Sequence, residues 1–527
     1  MTNSIEEIEN AKAMLVIGSN TTETHPVLAY RMKMAKKKGA SLIVADPRKI
    51  ELADQADIFL QLRPGTNVAL INGIINVIIE EGLVDEEFVR ERTEGYEEMA
   101  DVVKKYTPDY VEGITGVAAE DIRKAARLYA GAENAGIFYT MGITQHTDGT
   151  NAVSTIANLA MVTGNLGKPS SGVNPLRGQN NVQGACDMGG LPGVFTGYQG
   201  VGDEAARAKF EEAWGLKLNA EPGLTTTEMF DSMLDGKIKA LYVMGENPVI
   251  SDANINHVEE ALDKLEFLVV QDIFLTETAA RADVVFPAAA FAEKNGTFSN
   301  TERRVQMVRK AVKAPGAAKE DWAIIKELAE KLGLGWQYTE PAHIFQEIVQ
   351  LTPSYAGISY ERLEQEGGLQ WPCPTADHAG TPYLHEGAFT RGKGVFKPIE
   401  HSPSAEEIDQ DYPLVLTTGR NRYHYHTGSM TRQSKPLSTH KPEELVQINK
   451  VDAERLGVQE GDLVRVSSRR GQVEVKAAVT EVVPPGLIFM TFHFHESPVN
   501  VLTNNKVDPI SKTPELKVCA VKLEKIA

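Results

Sequence analysis

The sequence predicts an α/β fold that contains a duplicated parallel-sheet unit and ends in a β-barrel. Two stretches with the order strand, glycine turn, helix, strand and strand begin their turns at Gly18 and Gly245. From about residue 405 onward, short alternating strands replace this pattern. The length of 527 residues suggests roughly three or four domains of about 150 residues each.

The first copy begins with a buried strand over residues 13–20, a helix over 25–38 and a second strand over 41–46. A third strand follows within residues 56–62. Such units form parallel sheets with right-handed crossovers, and ligands bind at the carboxyl ends of the strands. In this copy those ends carry Asn20, Asp46 and Asn67.

The second copy repeats the order and the spacing. Its strands end near Glu246 and at Asp272, with a helix over about residues 254–264 between them. Gly18 precedes Asp46 by 28 positions, and Gly245 precedes Asp272 by 27. In both copies a second aspartate follows 11 positions later, as Asp57 and Asp283. We interpret the match as an internal duplication, which implies two bound nucleotides or one large two-headed cofactor.

Each half-site has a plausible chemistry for a nucleotide. A glycine after the strand lets the backbone approach a phosphate, and the N-terminus of the next helix favours the anion. A carboxylate at the next strand end suits ribose hydroxyls or the amino edge of guanine. Neither copy has the GxGxxG motif of dinucleotide sites. A simple packing turn remains the alternative for either copy, although two matched copies favour binding.

Residues 171–193, SGVNPLRGQNNVQGACDMGGLPG, combine one arginine with five side-chain amides and six glycines. The loop lies between the two copies in the chain, so we expect it in the crevice between two nucleotide-binding halves. The guanidinium of Arg177 can hold a carboxylate or phosphate through two hydrogen bonds. The alternative is a solvated surface loop.

The C-terminal part is predicted to be a barrel. Residues 460–479 form two alternating strands around a turn at 469–472, and residues 486–496 form another strand. His493, His495 and Glu496 also raise the possibility of a zinc site, but half-buried imidazoles on a barrel strand are favoured. The predicted domains are 1–179 and 180–345 (both α/β), 346–404 (irregular) and 405–527 (barrel).

Composition excludes several classes of partner. The net charge of −18 argues against nucleic acid and against an anionic membrane surface. No long apolar run predicts a membrane span, and the N-terminus lacks signal-peptide character. Three distant cysteines, Cys186, Cys373 and Cys519, cannot fill a four-thiolate iron–sulfur site. They are typical of reduced thiols in a cytoplasmic protein.

The stretch GVNPLRGQNNVQGACDMG closely resembles the catalytic-subunit loop of molybdenum- or tungsten-dependent formate dehydrogenases, within the molybdopterin oxidoreductase family. DPRK (46–49), TGNLGKP (163–169), MGENP (244–248), QDIFLTETAARADVVFP (271–287), WPCP (371–374) and SKTPELKVCAV (511–521) match as well. The resemblance implies two pseudo-symmetric Rossmann-like domains and a six-stranded β-barrel of the double-psi type. Each α/β domain would hold one of two molybdopterin guanine dinucleotides.

The resemblance also implies the residues of the site. One dinucleotide would be held by Gly18, Asn20, Glu23, Asp46, Arg48, Gly65 and Asn67. The other would be held by Gly245, Glu246, Asn247, Gln271, Asp272, Thr276 and Asp321. Met141, Gln145, Gly178 and Gln179 would line the pterin and metal region, and the barrel would contribute Arg420, His424, His426, Asn500 and Lys517. Asn247 stands where relatives often have Asp.

The implied activity is oxidation of formate to CO₂, or the reverse, with Arg177 as the catalytic residue that holds formate. The family also needs a Cys or selenocysteine that ligates molybdenum or tungsten, and usually a [4Fe–4S] cluster. We expect those groups in an N-terminal segment absent from this sequence, as in a split gene product or one cut at a UGA selenocysteine codon. The chain alone would then be inactive, and electron-transfer subunits would complete the enzyme. A carrier that binds the cofactor without turnover is the alternative, and the Arg177 loop disfavours nitrate or formylmethanofuran chemistry.

Overall fold

The computed structural model describes residues 1–526, which form two compact units. The first unit comprises Met1–Leu176, Ile250–Asn256 and Tyr383–Ala527, and the second comprises Arg177–Val249 and His257–Pro382. The predicted four-part division of the chain is finer than these two units and stays a prediction.

The α-helices are α1 (Thr21–Thr24), α2 (Pro26–Lys37), α3 (Asn67–Glu80), α4 (Glu86–Arg92), α5 (Tyr96–Val103), α6 (Pro108–Thr115), α7 (Ala119–Ala130), α8 (Met141–Thr144), α9 (Gly149–Val162), α10 (Val182–Asp187), α11 (Glu204–Trp214), α12 (Thr226–Leu234), α13 (Pro248–Ser251), α14 (Ile255–Leu262), α15 (Asp321–Lys331), α16 (Pro341–Leu351), α17 (Tyr360–Glu366), α18 (Lys435–His440) and α19 (Lys450–Leu456). The strands are β1 (Ala13–Ile17), β2 (Ser41–Ala45), β3 (Ile58–Leu60), β4 (Thr93–Glu94), β5 (Ala135–Tyr139), β6 (Gly172–Pro175), β7 (Ala240–Met244), β8 (Phe267–Asp272), β9 (Val284–Pro287), β10 (Gly296–Ser299), β11 (Arg304–Val308), β12 (Leu369–Gln370), β13 (Gly394–Val395), β14 (Leu414–Gly419), β15 (Leu445–Asn449), β16 (Leu463–Ser467), β17 (Gln472–Thr480), β18 (Leu487–Thr491) and β19 (Cys519–Lys525).

A five-stranded parallel sheet organises the α/β part of the first unit. Its strand order is β3-β2-β1-β5-β6, and β1 at its centre is buried along its whole length. Helix α3 is apolar on nearly every side and is buried from Asn67 to Ile78, as expected for a helix packed inside a core. The loops after β1, β2 and β5 therefore meet at one edge of the sheet.

A closed six-stranded barrel forms the C-terminal part of the first unit, which confirms the prediction. Its strand order is β14-β18-β15-β17-β16-β19. Strand β17 shows the expected alternation, with Val473, Val475 and Ala477 buried and the residues between them exposed. The predicted turn at 469–472 lies between β16 and β17, closed by the Ser468 amide donating to the Gly471 carbonyl at 2.9 Å.

The second unit contains a three-stranded parallel sheet of order β7-β8-β9 and a separate antiparallel sheet of order β10-β11-β12. Its small parallel-sheet core includes Val243, Leu268 and Val270.

The predicted duplication is visible in matching hydrogen bonds of the two parallel sheets. The Gly18 amide donates to the Ala45 carbonyl at 2.9 Å, and the Gly245 amide donates to the Gln271 carbonyl at 2.9 Å. One residue later, Asp46 and Asp272 each accept a backbone amide from two residues further on, at 2.9 Å and 3.1 Å.

Asp57 and Asp283, the aspartates at the repeated spacing of 11, have a structural role. Each accepts a hydrogen bond of 2.7 Å from the amide of the second residue of the neighbouring strand, Leu42 and Leu268 respectively. The repeated spacing therefore reflects strand alignment at these two positions.

Within residues 1–526, no helix combines the length and the apolar character needed to cross a bilayer.

Candidate cofactor and substrate site

In the first copy, two glycine turns cross at the carboxyl edge of the sheet. The Gly142 amide donates to the Gly18 carbonyl at 3.1 Å, and the Thr140 hydroxyl donates to the same oxygen at 2.7 Å. A methyl group on Gly18 would lie 2.7 Å from the Gly142 carbonyl carbon, and Gly18 has a φ of +58°. Only glycine at both positions allows the two turns to lie this close.

Three half-buried cations lie next to this edge. Arg48 follows β2, Arg420 follows β14, and Lys517 precedes β19. Burial lowers the pKa of both arginines, and burial beside Arg420 and Arg48 lowers the pKa of Lys517 to about 7. The neighbouring Asp46 carboxylate opposes this shift, but its own pKa is raised by burial. The cluster therefore carries more buried positive than negative charge, a costly arrangement that an anionic ligand would relieve.

Aromatic rings of the barrel and a backbone carbonyl hold this cluster in place. The Arg48 guanidinium lies 3.6 Å from the centroid of the Phe489 ring, and Arg420 lies 5.6 Å from that of Phe492. Lys517 donates to the Thr418 carbonyl at 2.7 Å. Stacking on barrel aromatics fixes the arginines while leaving their N–H groups available to an acceptor.

A cavity of about 200 Å³ opens beside these arginines. Among its lining atoms, Nδ2 of Asn421 and Oε1 of Gln447 are buried and have no hydrogen-bond partner within residues 1–526. Buried polar atoms of this kind normally have partners. A phosphate-bearing ligand with hydroxyl or amide groups would satisfy both atoms and the two guanidinium groups, so these residues fit a dinucleotide. The lining residues are Glu23, Arg48, Arg420, Asn421, Arg422, Tyr423, Lys441, Glu444, Leu445, Gln447, Ala478, Phe489 and Thr491.

The predicted histidines belong to a buried imidazole cluster. Burial and the nearby Arg420 lower the pKa of His426 to about 4, and burial is the main reason that the pKa of His493 falls to about 3. Nε2 of His493 accepts a hydrogen bond from the backbone N–H of Asn421 at 3.0 Å. Nδ1 of His493 therefore carries the proton and donates to the His426 carbonyl. His424 bonds the Lys441 carbonyl through Nε2 at 2.8 Å. The cluster is neutral near pH 7 at His426 and His493 and shapes the loop that carries Arg420.

The other predicted residues of the first unit fall into two groups. Asn20, Gly65, Asn67, Met141 and Gln145 lie in the loops or first helical turns after β1, β3 and β5. Asn67 begins α3 and donates weakly to the Gly142 carbonyl at 3.4 Å, and Gly65 has a φ of +82°. Asn500 differs, because its amide donates to the carbonyls of Ile250 and Ser251 at 3.0 Å. Its buried Oδ1 has no partner within residues 1–526.

In the second unit, two of the predicted residues, Gln271 and Asp321, bond to each other. The fully buried Gln271 accepts the Tyr242 hydroxyl and donates to Asp321 at 2.7 Å, and Asp321 pairs with Lys294. Burial raises the pKa of Asp272, while backbone amides oppose the shift.

Asn247 has a clear local role in the second copy. Its Nδ2 donates to Glu277 at 2.7 Å, and its Oδ1 accepts the hydroxyl and the amide of Thr278 at 2.8 and 3.2 Å. The hydroxyl of Thr276 accepts the Ala279 amide at 3.2 Å, while Gly245 and Glu246 are exposed. An aspartate at 247 could not donate to Glu277, which explains why asparagine suits this chain.

The loop that carries Arg177, Gly178 and Gln179 is anchored by a buried carboxylate. The Arg177 amide donates to the Thr301 hydroxyl at 3.0 Å. Ten residues after Arg177, Asp187 ends α10 and is fully buried. It accepts hydrogen bonds from the Gln183 amide, the Tyr198 and Tyr355 hydroxyls and the Trp371 indole, at 2.8, 2.9, 2.6 and 2.7 Å.

The sequence did not predict site roles for Asp187, Phe489, Asn421 or Gln447. Asp187 and Trp371 lie within stretches quoted for the family resemblance, but no sequence pattern indicates that they meet. Because side chains alternate in direction along a strand, the sequence of β18 could have predicted which face Phe489 lies on. It could not have predicted that Phe489 lies beneath Arg48.

Comparisons with known proteins agree with this geometry. Residues 1–331 match the family model described as Molybdopterin oxidoreductase, and residues 414–520 match the Molydopterin dinucleotide binding domain. The chain is 56% identical to a formate dehydrogenase subunit alpha of Methanocaldococcus jannaschii over 531 residues, which cover all of this chain and 78% of that protein. It is 43% identical to formate dehydrogenase H of Escherichia coli, covering 100% of this chain and 74% of that protein.

A solved structure is similar over nearly the whole chain. Acetylene hydratase from Pelobacter acetylenicus superimposes with a TM-score of 0.75 at 23% sequence identity, covering 99% of this chain and 81% of that one. At this identity the likeness concerns the fold alone.

Proposed function

We propose that this chain, which belongs to the molybdopterin oxidoreductase family, is the cofactor- and substrate-binding part of a formate dehydrogenase. The observation that carries the proposal is the Arg177 loop, held by the buried Asp187, in a chain that also contains a buried cation cluster suited to a dinucleotide. Relatives at 43 and 56% identity are named formate dehydrogenases, which supports formate as the substrate.

The cofactor is proposed to be a pair of molybdopterin guanine dinucleotides carrying molybdenum or tungsten. Arg48, Arg420 and Lys517 would hold phosphate groups, because they are half-buried cations with few opposing charges. The glycine turns at Gly18 and Gly245 would let the backbone approach each dinucleotide, and Asp46 and Asp272 would accept hydrogen bonds from its hydroxyl or amino groups.

Arg177 is proposed to bind and orient formate. Its guanidinium can donate two parallel hydrogen bonds to the carboxylate, which fixes the direction of the C–H bond and lowers the entropic cost of reaching the transition state. The bound cofactor would supply the acceptor for the two electrons and the proton that leave formate when its C–H bond breaks and CO₂ forms. Gly178 and Gln179 continue the same loop and would complete its contacts.

The ligand to the metal is proposed to come from a further polypeptide segment that also carries a [4Fe–4S] cluster. Burial raises the pKa of Cys519 to about 12, so it is a thiol at neutral pH and a poor metal ligand. Cys373 is buried, with its sulfur 3.4 Å from the His378 carbonyl. Within residues 1–526, no group of three or more His, Cys, Asp or Glu side chains could hold a metal ion. We therefore expect the chain alone to turn over formate poorly or not at all.

Metal and pterin analysis of the purified chain, combined with a formate–viologen assay, tests the proposal. The assay is run with and without a co-expressed segment that supplies the metal ligand. Activity only with the segment supports the enzyme, whereas bound pterin without turnover in both cases supports a carrier protein. In the active preparation, Arg177→Ala should raise KM for formate and lower kcat, while Arg207→Ala, which removes another arginine of the second unit, should leave both unchanged. Unchanged KM and kcat for Arg177→Ala would contradict the role of Arg177.

Formate or CO₂ and electron-transfer subunits are the proposed partners. The acidic net charge of −18 disfavours nucleic acid, and the free cysteines suit a cytoplasmic location.

A further inference from the structure

A short turn that follows the Arg177 loop holds a tyrosine in a backbone conformation that large side chains rarely adopt. Tyr198 has a φ of +61°, and the preceding Gly197 has a φ of +67°. Glycine reaches this left-handed region readily, whereas a bulky side chain there adds strain. Such strain persists only where the surrounding structure imposes it, and it is concentrated at functional sites.

Hydrogen bonds on both sides of Tyr198 impose this conformation. The Phe195 amide donates to the Gln199 carbonyl at 2.7 Å, which closes the turn around Tyr198. The side-chain amide of Gln199 donates to the carbonyls of Thr196 and Leu351 at 2.7 and 2.9 Å. The turn is therefore tied to itself and to the end of α16, and it keeps the backbone of Tyr198 in place.

The hydroxyl of Tyr198 belongs to the network that anchors the Arg177 loop. It donates to Oδ1 of Asp187 at 2.9 Å, and it accepts a hydrogen bond from Nε2 of Gln183 at 2.9 Å. The Tyr198 ring lies 6.2 Å from the ring of Trp371, which is another partner of Asp187. Since a phenol oxygen has two lone pairs, one acceptor position remains beside the hydrogen bond from Gln183.

Arg177 lies close enough to Tyr198 for its charge to act on the hydroxyl. Burial and the Asp187 carboxylate raise the pKa of Tyr198 well above its usual value, and the charge of Arg177 opposes this shift. The hydroxyl therefore stays protonated at neutral pH and continues to donate to Asp187. The backbone of Arg177 has its own anchor in the Thr301 hydroxyl, which accepts the Arg177 amide at 3.0 Å.

We propose that Tyr198 is a positioning residue for the side chain of Arg177. Its oxygen would accept one N–H of the guanidinium, while two parallel N–H groups stay directed at a carboxylate. Asp187 and Gln183 would hold the phenol in place, and the strained turn would keep it from moving away. A guanidinium held in one orientation before the substrate arrives lowers the entropic cost of binding and orienting a small acid.

The inference rests on the proposed function, because it assumes that Arg177 holds formate. The link between Tyr198 and Arg177 can nevertheless be measured in the chain alone, without cofactor or turnover. Phenylglyoxal modifies guanidinium groups, and mass spectrometry of the resulting peptides gives the rate at each arginine. Tyr198→Phe should raise the rate at the half-buried Arg177 about three- to tenfold, because a hydrogen bond that holds the guanidinium is lost. The rate at Arg207, which donates to the Val201 carbonyl at 3.1 Å, should stay unchanged.

Kinetics of the active preparation test the same contact during turnover. Tyr198→Phe should raise KM for formate about three- to tenfold, whereas a smaller folded fraction would lower kcat and leave KM unchanged. In an Arg177→Lys background, the additional effect of Tyr198→Phe on KM should be less than about twofold, because lysine lacks the planar fork. The matched control is Tyr338→Phe, which removes another hydroxyl that donates to a carboxylate, that of Glu347. Tyr338→Phe should leave KM and kcat unchanged.

Partial unfolding of Tyr198→Phe would appear as faster modification at Arg207. In that case Gln183→Leu is the deciding variant, because it keeps the Tyr198 hydroxyl and removes a hydrogen bond that orients it. Gln183→Leu should raise KM for formate and the modification rate at Arg177, and unchanged values of both would overturn the proposal.

Three results with folded Tyr198→Phe would also overturn it. They are an unchanged modification rate at Arg177, an unchanged KM for formate, or an equal effect on KM in the Arg177→Lys background. If Arg177→Ala leaves KM and kcat unchanged, the proposed function fails, and the modification rate at Arg177 still decides whether Tyr198 positions this side chain.

Discussion

Replacing Lys517 by methionine is expected to weaken binding of guanosine diphosphate and to remove most of its dependence on pH. Lys517 is half-buried beside Arg48 and Arg420, and its pKa of about 7 means that it is half protonated near neutrality. A phosphate placed beside it would favour the charged form. Binding should therefore take up a proton at pH 7.5 and grow weaker as the pH rises.

The magnitude follows from the pKa. With a pKa of about 7, the charged fraction of Lys517 falls from about 90% at pH 6 to about 10% at pH 8, so affinity should fall by up to about tenfold over this range. At pH 6, loss of a charge-assisted hydrogen bond worth about 1.5–3 kcal/mol should weaken binding by Lys517→Met about 10- to 150-fold. Asp46, Arg48, Arg420 and His146 also face Lys517, but the pKa of His146 is lowered to about 4, so it stays neutral in this window.

Isothermal titration calorimetry between pH 6 and 8, in buffers of different ionisation enthalpy, measures both affinity and proton uptake. The ligand's own ionisation contributes equally to both proteins, so the difference between them isolates Lys517. Lys506→Met, on an exposed lysine of the same region, is the matched control. Equal affinity, pH slope and proton uptake for Lys517→Met and the unchanged chain would refute the reasoning.

Three further predictions concern stability. Gly142→Ala places a methyl group 2.6 Å from the Gly18 carbonyl oxygen and should lower the free energy of unfolding in urea by about 1–3 kcal/mol. The control is Gly113→Ala, which lies in α6 with open space around it and should not destabilise the chain. Equal effects of the two substitutions would contradict the close crossing of the two backbone turns. Asp187→Asn replaces an acceptor of four hydrogen bonds by a side chain with one acceptor oxygen, which should cost about 2–4 kcal/mol and alter the near-ultraviolet circular dichroism of Trp371, so an unchanged spectrum would count against the anchor. Burial raises the pKa of Glu444 to about 7, so the native state binds more protons than the unfolded state between pH 4.5 and 7 and loses stability as pH rises through this window. Glu444→Gln should therefore gain up to about 3 kcal/mol relative to the unchanged chain between pH 4.5 and 8, and parallel stability curves would exclude this source.

The elements that sequence reasoning placed correctly are those set by local patterns. The strands that end before Gly18, Asp46 and Gly245 are runs of mainly apolar residues closed by glycine or a short polar side chain, and such signals depend on neighbouring residues alone. The duplication was detectable for the same reason. The spacing from the glycine turn to the next aspartate is nearly the same in the two copies, because both copies have the same order of turn, helix and strand. The paired aspartates Asp57 and Asp283 show the limit of that reasoning, since their repeated spacing serves strand alignment.

Assignment of individual contacts required distances between residues far apart in the chain. Asn247 was expected beside a cofactor, yet its amide is shared between Glu277 and Thr278. Asp187 reaches Tyr355 across 168 positions, and no periodicity encodes that meeting. The roles assigned to the site residues by resemblance remain predictions that the experiments above test.

The amino-acid sequence by itself determined the duplicated α/β plan, the barrel and the family, because strand alternation, glycine turns and the Arg177 loop are local properties of the chain. Only the tertiary structure decided that Arg48, Arg420 and Lys517 share one half-buried environment and that Asp187 anchors the Arg177 loop. Burial and the local balance of charge depend on residues brought together from distant positions, so they exist only once the chain has folded.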